Sequence, residues 1–289
     1  MTIATILAYL EGTGTGASAL SAAVTLGRRY AARVNLLHVE PDPATVVPVV
    51  GEGMSGAAVQ QIVESLAADA EARSKTAREV FETYLGQEKL PVVDPDDPVT
   101  PGEFEVSYRQ VVGEEDTLVL QYGRLADIIV MARPKDEGEA ETSAAFDAAL
   151  FDSGRPVLLT PAEPVAKIGE SVAVAWNHAR EATRAVAAAM PILRQAEKVF
   201  VLTAREGDSG PAPSELAGYL AGHGITAKTW AFMPMSGSIG DDILAEARDA
   251  GADLLVMGAY GHSRLRELVL GGATRGVLSR GEIPVLLVH

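Results

Sequence analysis

The residues best suited to chemistry fall in one stretch, residues 252–274, with the sequence ADLLVMGAYGHSRLRELVLGGAT. A short aliphatic run, Leu254 to Met257, ends at Gly258. Gly261 follows, then nine further residues, then the pair Gly271-Gly272 with Ala273 and Thr274. Glycine at the end of a buried strand lets the backbone turn sharply and approach a ligand closely. Residues 273–280, ATRGVLSR, read as the opening of a helix. A strand, a glycine-spaced loop and a helix start make an anion cradle, because free N–H groups and the positive end of the helix dipole converge there. The chemistry this suits is phosphate binding, with a nucleotide as the carrier. A tight turn that needs glycine only for its geometry explains the same spacing. His262 lies inside the loop, where ligand contact and solvation are both open. Arg264, Arg266 and Arg275 suit phosphate contacts and salt bridges equally well.

A second glycine signal competes with the first. Residues 12–17, GTGTGA, fit the G-x-G-x-x-G/A dinucleotide fingerprint after a first strand, with Glu40 where a ribose-binding acid would sit. The corresponding turn in the second half, residues 176–179 (WNHA), has no glycine. His178 there sits at a strand end, in the expected crevice. There is no G-x-x-x-x-G-K-[ST] phosphate loop, no G-x-S-x-G nucleophile elbow and no H-x-x-x-H pair. His38 lies within an aliphatic strand and reads as a hydrogen-bonded core residue. The acidic run of residues 136–141 reads as a solvated loop.

The balance of charge narrows the partners. The chain has 289 residues and a net charge of −15, with 47% hydrophobic and 22% charged residues. That charge argues against nucleic acid and against anionic membranes. The chain has no cysteine, which removes disulfides, thiolate metal sites and thiol nucleophiles and fits a reducing cytoplasm. Its first residues lack the basic region of a signal peptide, and no apolar run reaches the roughly 18 residues needed to span a bilayer.

The elements that must position these residues come in two similar sets. Ala126-Asp127 before residues 128–131 (IIVM) recurs as Ala252-Asp253 before residues 254–257 (LLVM), and residues 156–159 (PVLL) recur at 284–287. The unit is about half the chain, so two tandem domains are expected, at residues 1–162 and 168–289. Residues 160–167 read as the linker between them. In the first half, strands are expected at residues 3–10, 34–39, 104–112, 127–131 and 156–159. Helices are expected at 16–32, 57–84, 118–125 and 143–151. The helix at 57–84 carries Val59, Ile62, Val63, Leu66 and Ala70 on one face. The proline- and aspartate-rich residues 90–102 read as a loop. In the second half, strands are expected at 172–176, 199–202, 226–231, 254–257 and 283–288, and helices at 181–193, 214–222 and 241–250. Aliphatic strands alternating with helices predict α/β domains with parallel five-stranded sheets, doubly wound. Their ligand crevices lie at the C-terminal ends of the central strands.

The stretch at residues 252–274 resembles the universal stress protein family. That family's nucleotide-binding members carry G-x2-G-x9-G-[ST] after an apolar strand ending in Met-Gly. Met257, Gly258, Gly261 and Gly271 match it here, as do residues 284–288 (PVLLV) and 36–39 (LLHV) for its last and second strands. The resemblance implies strand order 3-2-1-4-5 in each domain and antiparallel pairing of the two last strands, an intramolecular pseudo-dimer that leaves a homodimer open. It implies ATP or a related adenine nucleotide, with Mg²⁺ accompanying it, in the second domain. The phosphates would lie over Gly258, Gly261 and Gly271, and the base near Asn177, Thr203 and Ala204. Two departures stand out. Gly272 replaces the family's hydroxyl residue, leaving Thr274 as the nearest hydroxyl, and Asn177 replaces its acid. In the first half, Ala132 and Lys135 stand where the glycines belong, so no cradle of this kind is expected there. The implied function is a cytoplasmic stress-response sensor or binding module acting through an as yet unknown protein partner. No nucleophile, base or metal cage marks a dedicated enzyme, and slow hydrolysis stays open. Two alternatives remain: a stress protein that binds no nucleotide and works through protein contacts, and a nicotinamide-dependent enzyme using residues 12–17.

Overall fold

The computed structural model describes residues 2–42, 56–133, 143–205, 212–235, 238–259, 276–277 and 281–289. Its strands are β1 (Thr5–Tyr9), β2 (Arg33–Pro41), β3 (Glu105–Gly113), β4 (Ile128–Ala132) and β5 (Val157–Thr160), then β6 (Ser171–Ala175), β7 (Lys198–Ala204), β8 (Ala227–Phe232), β9 (Leu254–Gly258) and β10 (Val285–Val288). The helices are α1 (Gly16–Tyr30), α2 (Gly56–Gln87), α3 (Glu115–Gly123), α4 (Ala144–Asp147), α5 (Arg180–Leu193), α6 (Pro213–Ala221) and α7 (Ile239–Asp249). A π-helical turn, Ala148–Asp152, extends α4.

All ten strands join one sheet, in the order β3-β2-β1-β4-β5-β10-β9-β6-β7-β8. Each half contributes five parallel strands in the order expected of a doubly wound domain. The halves meet where β5 and β10 pair antiparallel, with Val285 opposite Leu159 and Leu287 opposite Val157. This pairing removes two sheet edges. The six residues of Val157 to Leu159 and Val285 to Leu287 are buried. Burying such aliphatic side chains contributes about 1.5–3 kcal/mol each.

One face of the sheet packs against α1, α2, α5 and α6, and the other against α3, α4 and α7. The repeated Ala-Asp pair has a structural reason. Asp127 accepts hydrogen bonds from the backbone N–H groups of Ala4 and Thr5, and Asp253 accepts from those of Gly169, Glu170 and Ser171. Each carboxylate ties the start of its half's first strand to the start of the fourth.

Two expectations change. The apolar residues Val59, Ile62, Val63 and Leu66 of α2 are only half-buried. Of the expected face only Ala70 is buried, and the helix adds Ser74, Ala77 and Phe81, because only its C-terminal part lies on the sheet. Residues 90–102 are more than a loop. Val93 N–H donates to Val106 O and Val106 N–H to Pro91 O, covering one edge of β3. The segment is held by Arg33, which is 1% exposed and donates to the carbonyls of Asp94 and Asp97.

Candidate functional site

The C-terminal ends of β7, β6 and β9 lie side by side. Ala175 pairs with Leu202, and Val174 with Val256. This brings Asn177, Thr203, Ala204, Met257 and Gly258 to one end of the second half. The remaining predicted residues, Gly261, His262, Arg264, Gly271, Gly272, Ala273 and Thr274, lie outside the described residues, as do Lys135, Arg266 and Arg275.

Gly258 is glycine for a packing reason. A Cβ there would meet the backbone of α5, 2.5 Å from the Glu181 carbonyl carbon and closer still to the Ala182 nitrogen. The strand end thus lies directly against the N-terminal turn of α5. Beyond the loop, Gly276 lies against the start of α7. A Cβ on it would come within 2.8 Å of Ser238 Oγ, which caps α7 by accepting from the Asp241 N–H.

Asn177 is exposed, and its Oδ1 accepts the Ala179 N–H at 3.0 Å, shaping the turn into α5. His178 adopts a left-handed backbone (φ 61°), unusual for a side-chain-bearing residue. Its Nε2 lies 2.6 Å from Glu215 of α6, and its ring meets Trp176 edge-on at 5.3 Å. His178 is therefore partnered as well as exposed. Sequence reading missed Trp176 and Glu215, and the aromatic beside the Asn-His turn was the available signal. Two buried polar atoms here have no hydrogen-bond partner among the described residues: Thr203 Oγ1 and Trp176 Nε1. Such atoms cost free energy unless something pairs with them.

The first half fills the equivalent place from within. Leu10 N–H donates to Leu37 O as Trp176 N–H does to Leu202 O, which makes His38 the counterpart of Thr203 and Gly12 that of His178. His38 is fully buried. Its Nδ1 lies 2.7 Å from Leu10 O and its Nε2 3.0 Å from Ser74 Oγ on α2. Burial pushes its pKa down, and Nδ1 donates to the Leu10 carbonyl, which can only accept. It is the hydrogen-bonded core histidine expected. Arg73 of α2 donates from Nε to Glu11 O and makes a 2.5 Å ion pair with Glu115. Burial, with Glu115 nearby, pushes the Glu11 carboxyl up. Glu11 stands where the second half has Asn177, and the sequence reading passed over it.

This arrangement corrects the dinucleotide reading. Gly12 does have positive φ (74°), but a Cβ on it would collide with the Arg73 carbonyl. The space a pyrophosphate would need there belongs to α2. Glu40, the expected ribose acid, accepts from Ser74 and from Gln110 instead.

Comparisons with known proteins agree with this architecture. A profile of the universal stress protein family matches residues 128–289. Among curated proteins, a universal stress protein of Synechocystis is 52% identical over 44 residues, 15% of each chain. One of Methanocaldococcus jannaschii is 38% identical over 48 residues, 17% of this chain and 30% of its own. The aligned segments thus span less than a third of either relative. A universal stress protein of Archaeoglobus fulgidus superposes with a TM-score of 0.65 at 14% identity, covering 98% of this chain and 97% of its own. One from Pseudomonas aeruginosa gives 0.56 at 17%, covering 99% and 93%. These two likenesses establish the fold. The family profile extends over more than half of the residues, and the chain belongs to the universal stress protein family.

Proposed function

We propose that the protein is a two-domain stress-response binding module, divided at residues 1–162 and 168–289, whose second domain binds ATP or a related adenine nucleotide. The observation that carries this reading is the pair of unpartnered buried atoms, Thr203 Oγ1 and Trp176 Nε1, at the strand ends beside Asn177. In the first half the matching place is filled by Ser74 and Arg73 of α2. The second half connects β7 to β8 through the short α6 instead. A purine edge has the donors and acceptors those two atoms lack. The phosphates would then run over Gly258 toward Gly261 and Gly271, with Thr274 in the role of the missing hydroxyl and Mg²⁺ on the phosphates.

The protein acts as a sensor that passes its nucleotide state to a protein partner, in the cytoplasm. Among the described residues no helix is long and apolar enough to cross a membrane, and no acid–histidine cluster suits a metal ion. A second reading, protein contact without nucleotide, draws on the outer edge at β8. Trp230, Met233 and Met235 are exposed there, Met235 by 89%.

Calorimetric titration of ATP tests the first reading. Gly261→Val should abolish binding, because a β-branched side chain fills the space the phosphates need. Thr274→Ala should weaken binding about tenfold or more, the loss of a hydrogen bond to a charged group. If Gly261→Val folds and binds ATP like the parent, the nucleotide site is elsewhere.

A further inference from the structure

We propose that Arg133 forms a separate anion site at the seam between the halves, taking a small oxyanion of the phosphate type. Arg133 follows β4 and is 5% exposed. Its Nη1 donates to the carbonyl of Gly281, just before β10. Its Nε and Nη2 are buried and have no partner among the described residues. These two atoms share one edge of the planar guanidinium, the fork that accepts two oxygens of a phosphate or carboxylate side by side. Among the described residues no carboxylate pairs with it, and burial alone pushes its pKa down to about 10. The group is therefore still charged at neutral pH, inside a strongly acidic protein. A buried charge with two empty donors is costly, and an anion on the fork removes the cost.

The position supports the same assignment. Arg133 N–H donates to Thr160 O as Ala259 N–H does to Val288 O. Arg133 is thus the first-half counterpart of Ala259, the residue at the mouth of the glycine loop. Gly281 makes room for it, since a Cβ there would collide with the guanidinium. The first half has lost the glycine spacing and holds a cation in its place.

Thermal unfolding of the full chain in inorganic phosphate, against sodium chloride at matched ionic strength, tests this site. At about 100 times Kd, phosphate should raise Tm by about 5 °C more than chloride does. Arg133→Met should lose that response and, without phosphate, melt no lower than the parent. Arg133→Lys keeps the charge without the fork and should bind phosphate about tenfold more weakly. Gly261→Val should keep the parent's response, which separates this site from the nucleotide site proposed for the second half. The assignment is overturned if phosphate does no more than chloride for the parent. It is equally overturned if Arg133→Met responds like the parent, or if Gly261→Val removes the response.

Discussion

The two halves share a strand order and differ in what closes their crevices. In the first, the 32-residue α2 crosses the strand ends and lays Arg73 and Ser74 over Gly12 and His38. In the second, the nine-residue α6 takes the same connection, and among the described residues Thr203 Oγ1 and Trp176 Nε1 have no partner. The lesson is that a repeated fold does not repeat a site. The long α2 brings Arg73 and Ser74 to the strand ends of the first half, and α6 brings no such partner to Thr203 Oγ1 and Trp176 Nε1 among the described residues.

The comparison can be broken most severely at Gly258. Gly258→Val places a side chain against the backbone of α5, which has no rotamer to yield, and should cost about 3 kcal/mol. Urea unfolding measures it, and an unchanged midpoint would show that strand and helix do not meet so closely. Arg73→Ala comes next. It removes the hydrogen bond to the Glu11 carbonyl and the pair with Glu115, and should cost about 2 kcal/mol, discounted for the partial exposure of that pair. ATP titration of this variant should give the same stoichiometry as the parent. A second equivalent of nucleotide would mean that α2 alone had kept the first crevice shut.

Thr203→Val sharpens the contrast from the other side. Removing an unpaired buried hydroxyl at constant shape should raise the stability of the ligand-free protein by about 1 kcal/mol, while weakening ATP. A loss of stability without ligand would mean the hydroxyl already has a partner. The smallest effect concerns His38. Its folded pKa lies below that of the unfolded chain, so the unfolded state takes up the proton first as pH falls. The stabilisation is complete above about pH 6.5, the unfolded value, and declines as pH drops toward the folded pKa. Melting temperatures across that window should fall less steeply for His38→Gln than for the parent. Parallel slopes would remove His38 as their source.

Sequence patterning determined much of the architecture. Short aliphatic runs located the central strands β1, β4, β5, β6, β9 and β10, because a strand buried on both faces must be apolar throughout, whereas the edge strands β3 and β8 carry polar, exposed residues. The recurrence of Ala-Asp and Pro-Val-Leu-Leu revealed the repeat, and behind the first pair stands a carboxylate that binds strand-start N–H groups. His38 was legible as a core residue because its neighbours are all aliphatic. Tertiary structure alone decided what the glycines do. Gly12 follows the first strand of its half and Gly258 ends the fourth strand of the other, and both read from the sequence as glycines that a ligand could approach. Gly12 is pressed by Arg73 of α2 and Gly258 by Glu181 and Ala182 of α5, both far away in the chain, and no local spacing encodes which backbone will approach. The partners of Glu40, the filling role of Arg73 and the two empty donors of Arg133 were hidden for the same reason. A side chain's hydrogen bonds depend on which groups the fold brings within about 3 Å, and those come from distant parts of the chain.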